Sequence, residues 1–351
     1  MSKIRLGVIG CGYWGPNLIR NFIAIPDSEV VIVADKKTDR LQHMKNLYPA
    51  LEVTENYRDL FSRNLDAIVV ATPPKTHFDL TKECLQQDIH VLVEKPLTLI
   101  SDNAEELIGL AESRGLKLMV GHTFQYNPAV NTLKDLIKSG ELGDIYYLDA
   151  ARLNLGLYQR NMNALWDLAP HDISILLHIL EEMPVSVQAF GTSSVFDGVH
   201  DVVYANLTFP DTIIAHVHVS WLDPCKVRRV TVVGSQKMAV YNDVVSNEKI
   251  KIYDRGVDAH DYVDSFEEFQ FNYRYGDVLI PHIRYDEPLR IECKHFLDCI
   301  IHDEEPISGG KIGLKVVRIM EATQRSLMNG GCQESVPVKK SIPVHETECV
   351  S

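Results

Sequence analysis

Long apolar runs are missing from this chain of 351 residues. None approaches the ~20 residues that cross a bilayer, so no membrane span is expected. The opening stretch from Met1 to Gly10 is too short and too broken by glycine for a signal peptide, and it reads as a strand. Positive charge is in deficit: 35 Lys and Arg stand against 48 Asp and Glu, a net charge of −13. That balance leaves no electrostatic footprint for nucleic acid or an anionic lipid surface. Paired cysteines are lacking as well. The seven cysteines are odd in number, scattered, and never spaced Cys-x-x-Cys. This argues against a disulfide framework or a cysteine-rich zinc site, and for a reducing cytoplasm. The histidines show no metal-ligand spacing, so no metal is expected. A G-x-S-x-G elbow is absent, which disfavours a serine hydrolase.

What is present is ordinary globular composition, 45% hydrophobic and 24% charged. Through about residue 120, short Val/Ile-rich runs alternate with amphipathic stretches. Strands are expected at Ile4–Ile9, Val30–Ala34, Ala67–Ala71, Ile89–Val93 and Leu116–Val120. Helices are expected at Asn17–Ile25, Thr38–Leu47, Phe78–Gln87 and Asp102–Arg114. Nearly continuous apolar strands alternating with helices imply a parallel, doubly wound sheet. After Gly121 the rhythm changes. A helix at Pro128–Lys138, a strand at Ile145–Leu153 and a helix at Pro170–Leu180 precede successive strand patterns from Val185 to about Phe271, the last of those named being Met238–Tyr241. Helices at Glu287–Ile301 and Ile312–Met328 close the pattern. The fold class is α/β followed by α+β: a doubly wound parallel-sheet domain over residues 1–122, then a second domain over 123–351 with a mostly antiparallel sheet.

Gly10-Cys11-Gly12-Tyr13-Trp14-Gly15 matches G-x-G-x-x-G between the first strand and the first helix. Its glycines permit a tight turn and close approach of a pyrophosphate to free N–H groups at the helix start. Asp35 ends the second strand, 20 residues past Gly15, where a carboxylate bonds ribose hydroxyls. It favours NAD over NADP, although Lys36 and Lys37 could accept a 2′-phosphate. Thr72, Pro73 and His77 lie in the loop after the third strand, at the carboxyl edge where ligands of such sheets bind. Glu94-Lys95-Pro96 ends the fourth strand, aiming Lys95 at the same crevice, and its Lys-Pro bond admits a cis peptide. Trp166-Asp167-Leu168-Ala169-Pro170-His171 opens a helix of the second domain with Asp167 and His171 four residues apart. A histidine beside a carboxylate suits proton transfer from a hydroxyl. Read alone, each motif also fits a plain structural role: Thr76 or Asp167 as a helix cap, Lys95 as a surface residue, His171 as a first-turn polar residue.

Together, and in this order, these motifs and Gly121-His122-Thr123-Phe124-Gln125-Tyr126-Asn127-Pro128 resemble the glucose–fructose oxidoreductase/inositol dehydrogenase/MocA family over nearly the full length. The resemblance implies NAD held by the Rossmann domain, with Trp166 also in cofactor range. It implies a catalytic pair, Lys95 and His171, with Asp167 as third member. It also implies hydride exchange with a sugar or cyclitol carbon, and a dimer or tetramer formed through the open sheet face. The chain looks most like the nucleotide-sugar branch. That branch oxidises C3 of UDP-N-acetylglucosamine or its uronic acid for a downstream aminotransferase, in lipopolysaccharide or lipid A synthesis. His171 is the expected base, because an unperturbed imidazole works near pH 7. Lys95 would need desolvation or a cationic neighbour, and neither is visible in the sequence. The substrate's phosphates need local cations, with Arg152, Arg160, Arg228 and Arg229 in the right domain. Arg152, Asn154, Tyr158 and Arg160 are the nearer candidates, with Gln125 and Tyr126 on the site floor. A 3-ketoreductase of dTDP-deoxysugars, an inositol or free-sugar dehydrogenase, and a non-catalytic NAD(P)-sensing regulator stay open as alternatives.

Overall fold

The chain is described by a computed structural model over residues 3–160, 162–259, 271–284 and 286–337. Six parallel strands form the first sheet: β1 (Ile4–Ile9), β2 (Ser28–Ala34), β3 (Glu52–Thr54), β4 (Ala67–Val70), β5 (His90–Glu94) and β6 (Leu118–Gly121). Their order is β3-β2-β1-β4-β5-β6. The crossovers run through α1 (Gly15–Ala24), α2 (Thr38–Leu47), α3 (His77–Gln86) and α4 (Ser101–Ser113). The strands are short, Val/Ile-rich and buried on both faces, as helices on each side require. The edge strand β3 has three residues, too few to show periodicity, and escapes a reading by pattern.

The second sheet has nine strands. After α5 (Pro128–Lys138) come β7 (Ile145–Leu153), α6 (Ala164–Leu180), β8 (Ser186–Thr192), β9 (Val202–Thr208), β10 (Ile214–Ser220), β11 (Val227–Gly234), β12 (Met238–Asn242), β13 (Ile250–Ala259) and β14 (Phe271–Leu279). The chain then runs through α7 (Pro288–His302), α8 (Gly310–Met328) and β15 (Glu334–Ser335). All pairings are antiparallel except β7 with β10. One face packs on α5, α6 and α8, with Leu148, Ala150, Val217, Val230 and Val232 buried among Leu176, Ile179 and Met320. The other face is open. Strands β13 and β14 carry Lys, Asp, Arg and Gly between their apolar residues, which hides them from an alternation count.

α6 begins at Ala164, earlier than the expected Pro170, because Asn163 caps it by accepting the Trp166 N–H at 3.1 Å. The proline lies inside the helix, and Asp167 sits in its first turn rather than at its cap. Helices α7 and α8 return to the first sheet. Phe296 and Leu297 pack with Leu18 and Phe22 of α1, and Val317 packs against α4's face of the sheet. A chain end more than 160 residues downstream thus completes the first core. No described helix is long and apolar enough to cross a membrane.

Candidate active site

Strand order reverses between β1 and β4, where the chain crosses to opposite sides of β1. Such a switch point opens a crevice at the carboxyl ends of the strands. Here it opens into a cavity of about 1290 Å³, walled on its far side by α6 and the ends of β7, β10 and β11.

The loop from Gly10 to Gly15 fits a dinucleotide. Gly10 has φ +102°, and a Cβ there would stand 2.5 Å from the Ala71 carbonyl oxygen. A Cβ on Gly15 would stand 2.1 Å from the Gly10 carbonyl oxygen, so only glycine lets the helix close on the loop. Gly12 differs: its Cβ would meet only Arg40, at 3.6 Å, leaving open space where a pyrophosphate would lie. No side chain caps the start of α1, so its N–H groups stay available. Asp35 accepts the Cys11 N–H at 2.7 Å and the Lys37 N–H at 2.9 Å, and Arg40 approaches it at 3.4 Å. Tyr13, Trp14, Thr72 and Pro73 also line the cavity.

His77 does not. It is fully buried behind the loop, with Nδ1 2.7 Å from the Pro96 carbonyl oxygen and Nε2 2.8 Å from that of Thr72. Expected to touch the cofactor, it instead ties together two loops that line the cavity. Burial pushes its pKa down while both carbonyls pull it up.

The Lys95–Pro96 peptide is cis. Lys95 lines the cavity, and its Nζ donates to the Asp167 carbonyl oxygen at 2.8 Å, bridging β5 to α6. Burial lowers its pKa, opposed by Asp167 and Glu94 and reinforced by Arg152. Glu94, buried beside it, is pushed up to about 7 by burial. His171 faces the same cavity, and its Nδ1 has no hydrogen-bond partner among the described residues. Burial, then the charges of Lys95 and Arg152, hold its pKa well below the usual value. The premise of an unperturbed His171 therefore does not hold. Lys95 has both the desolvation and the cationic neighbour that the sequence leaves hidden.

Asp167 does not pair with His171. Its Oδ2 accepts the Trp221 Nε1–H at 2.9 Å, because α6 presents it to the end of β10. Arg152 is no free phosphate ligand either. Nearly buried, it forks onto Asp172 at 2.8 and 3.0 Å, with its guanidinium 4.6 Å from the Phe124 ring centre. Phe124 in turn meets the His171 ring edge-on at 5.2 Å.

Asn154 and Trp166 line the cavity as expected. Gln125 and Tyr126 do not: both are buried, Tyr126 against Ser308 Oγ at 2.8 Å. Their turn lies between the two cores, where Tyr126 joins the first core and the Gln125 amide donates to the Ser174 carbonyl oxygen at 3.5 Å. Tyr158 packs against Trp221 with its ring tilted, centroids 5.5 Å apart, and Arg160 lies over the Phe196 ring and lines a smaller adjoining cavity. Trp221, Lys226 and Asp243 line the site without having been singled out in the sequence. They come from strand ends whose convergence only the sheet order reveals. Among the described residues no group of three or more His, Cys, Asp and Glu side chains could hold a metal ion.

Residues 4–122 match the model of an oxidoreductase family with an NAD-binding Rossmann fold, and residues 130–240 match the GFO/IDH/MocA C-terminal domain. The UDP-N-acetylglucosamine 3-dehydrogenase of Acidithiobacillus ferrooxidans is 30% identical over 73% of this chain and 79% of its own. The chain belongs to the glucose–fructose oxidoreductase/inositol dehydrogenase/MocA family. It is an oxidoreductase acting on a CH–OH group. A dTDP-3,4-didehydro-2,6-dideoxy-α-D-glucose 3-reductase of Saccharopolyspora spinosa is 30% identical over 41% of this chain and 44% of its own. A dehydrogenase of Bordetella pertussis, solved with NADH and UDP-GlcNAcA, shares the fold at a TM-score of 0.79 and 21% identity, covering 96% of this chain and 99% of that one.

Proposed function

We propose that this protein oxidises a ring hydroxyl of a nucleotide sugar, most simply C3 of UDP-N-acetylglucosamine or its uronic acid, using NAD⁺. The observation that carries the reading is one cavity that joins a dinucleotide loop to Lys95, His171 and a cationic second-domain wall. The sequence similarity to a UDP-N-acetylglucosamine 3-dehydrogenase supports the substrate. Asp35 at the end of β2 supports NAD over NADP.

When bound, the cofactor supplies the hydride acceptor. The chain's own residues manage the proton. Lys95, with its pKa lowered by burial, takes the hydroxyl proton on Nζ. His171, neutral, hydrogen-bonds the same oxygen. A protonated His171 beside Lys95 and Arg152 would be strongly disfavoured, so imidazole serves better as a partner than as the base. Asp167 keeps Lys95 aimed through its backbone carbonyl and anchors α6 to Trp221.

The resulting ketone would be consumed by an aminotransferase in the same pathway. The open sheet face, where Tyr147, Phe190, Tyr204 and Ile214 are exposed, forms the interface of a homodimer or homotetramer. The chemistry is that of cytoplasmic metabolism. Oxidation of UDP-N-acetylglucosamine by the purified protein, read as NADH absorbance with a carbonyl trap present, tests this reading.

A further inference from the structure

The cations of the cavity's far wall are arranged by strand register. β7 and β11 pair antiparallel, with Arg152 opposite Arg228 and Leu153 opposite Val227. Opposed residues share a sheet face. Asn154 and Lys226 continue the same alternation one step beyond each strand, and all four line the cavity.

The three cations are not equivalent. Arg152 is neutralised by Asp172 in a closed, bidentate pair. Among the described residues Arg228 reaches only Asp243, at 3.5 Å, and that carboxylate already serves Lys249 at 3.6 Å and the Tyr241 hydroxyl at 3.1 Å. Lys226 makes no ion pair or hydrogen bond with a described residue. Two positive charges thus face the cavity without full partners, in a chain of net charge −13. They stand on the second domain, apart from the Gly10–Gly15 loop that suits the cofactor's pyrophosphate. The cavity, at about 1290 Å³, also exceeds the ~300–1,000 Å³ of a typical single-ligand site. It has room for a dinucleotide and a second nucleotide.

We propose that Lys226 and Arg228 form an anion subsite that takes the diphosphate of the nucleotide-sugar substrate and selects it over free sugars and cyclitols. This rests on the nucleotide-sugar reading above and adds which residues enforce it. A diphosphate offers charge-assisted, bidentate acceptors to the Arg228 fork and a point anion to Lys226. An uncharged cyclitol would offer neither cation an anion and would leave both to water.

The test is calorimetric titration of the NADH-loaded protein with UDP-N-acetylglucosamine, UDP, dTDP, uridine and N-acetylglucosamine. The protein is used as wild type, Lys226→Ala, Lys226→Arg and Arg228→Gln. The wild type is expected to bind the diphosphates at least tenfold tighter than uridine or the free sugar. Lys226→Ala and Arg228→Gln should each weaken UDP binding at least tenfold, leave uridine and NADH affinity unchanged, and flatten the salt dependence. Lys226→Arg should retain UDP binding. Unchanged UDP affinity in both loss-of-charge variants overturns the subsite and leaves the nucleotide-sugar reading standing. No binding of any diphosphate by the wild type overturns both.

Discussion

Removing the Asp172 carboxylate should expose how much of the site's shape hangs on one ion pair. Arg152 and Asp172 are at most 4% exposed and share two hydrogen bonds of 2.8 and 3.0 Å. Asp172→Asn keeps the shape and deletes the charge, leaving a buried guanidinium uncompensated. Breaking one partner of such a pair costs about 3–5 kcal/mol. For a domain near 200 residues this lowers the unfolding midpoint by roughly 6–20 °C. Arg152→Met should cost as much, because Asp172 is then stranded. Arg152→Met combined with Asp172→Leu should restore most of the loss, since apolar replacement of a buried pair is often neutral or better. Scanning calorimetry of the three variants reads the cycle. Turnover should fall even in the stable double variant, because Arg152 backs Phe124, which meets the His171 ring. Single variants that each cost under about 1 kcal/mol, or a double variant equal to the sum of the singles, would refute the reasoning.

Lys95→Met should abolish turnover, by at least the ~10²–10⁴-fold of a lost proton acceptor, while NADH titration by fluorescence stays near normal; near-normal turnover would remove Lys95 from the mechanism. His122 is fully buried, without a hydrogen-bond partner among the described residues, and burial drops its pKa to about 3. The unfolded chain binds that proton below about pH 6.5, so stability from this group is intact above pH 6.5 and falls as pH drops toward the folded value. Between pH 7.5 and 5.5 the loss is about 1.4 kcal/mol, and His122→Phe should shrink the pH dependence measured by denaturant titration by that amount. An equal pH dependence in wild type and variant would contradict it. Asp35→Ser should free Arg40, now 3.4 Å from that carboxylate, to meet a 2′-phosphate. The ratio of kcat/KM for NADP⁺ over NAD⁺ is expected to rise at least tenfold, and an unchanged ratio would show that Asp35 does not set the preference.

Apart from β3, β13, β14 and the two-residue β15, the strands of both sheets were legible from apolar periodicity, and the dinucleotide loop from its glycines and the acidic residue 20 positions on. Local pattern fails where partners are distant. Gln125 and Tyr126 sit in a polar-looking turn that two cores bury, and Arg152 meets Asp172 only after α6 folds onto β7. The four-residue spacing of Asp167 and His171 places them on one side of α6, yet it says nothing of Trp221, which captures the carboxylate. The downward pKa shifts of Lys95 and His171 escaped the sequence because burial and neighbouring cations are properties of the assembled cavity. Arg228 was one of several candidate cations in the sequence, and only the strand register sets it beside Lys226 on the cavity wall.

The most direct test of the central claim is substrate oxidation. Purified protein with NAD⁺ would be given UDP-N-acetylglucosamine, its uronic acid, dTDP-glucose or myo-inositol, each with hydroxylamine as a trap. The readouts are NADH absorbance and mass spectrometry of the oxime, whose mass must correspond to a ketone two hydrogens lighter than the substrate, formed in step with NADH. The account predicts a signal with a UDP-sugar and none with myo-inositol. Oxidation of myo-inositol with every nucleotide sugar inert would contradict it.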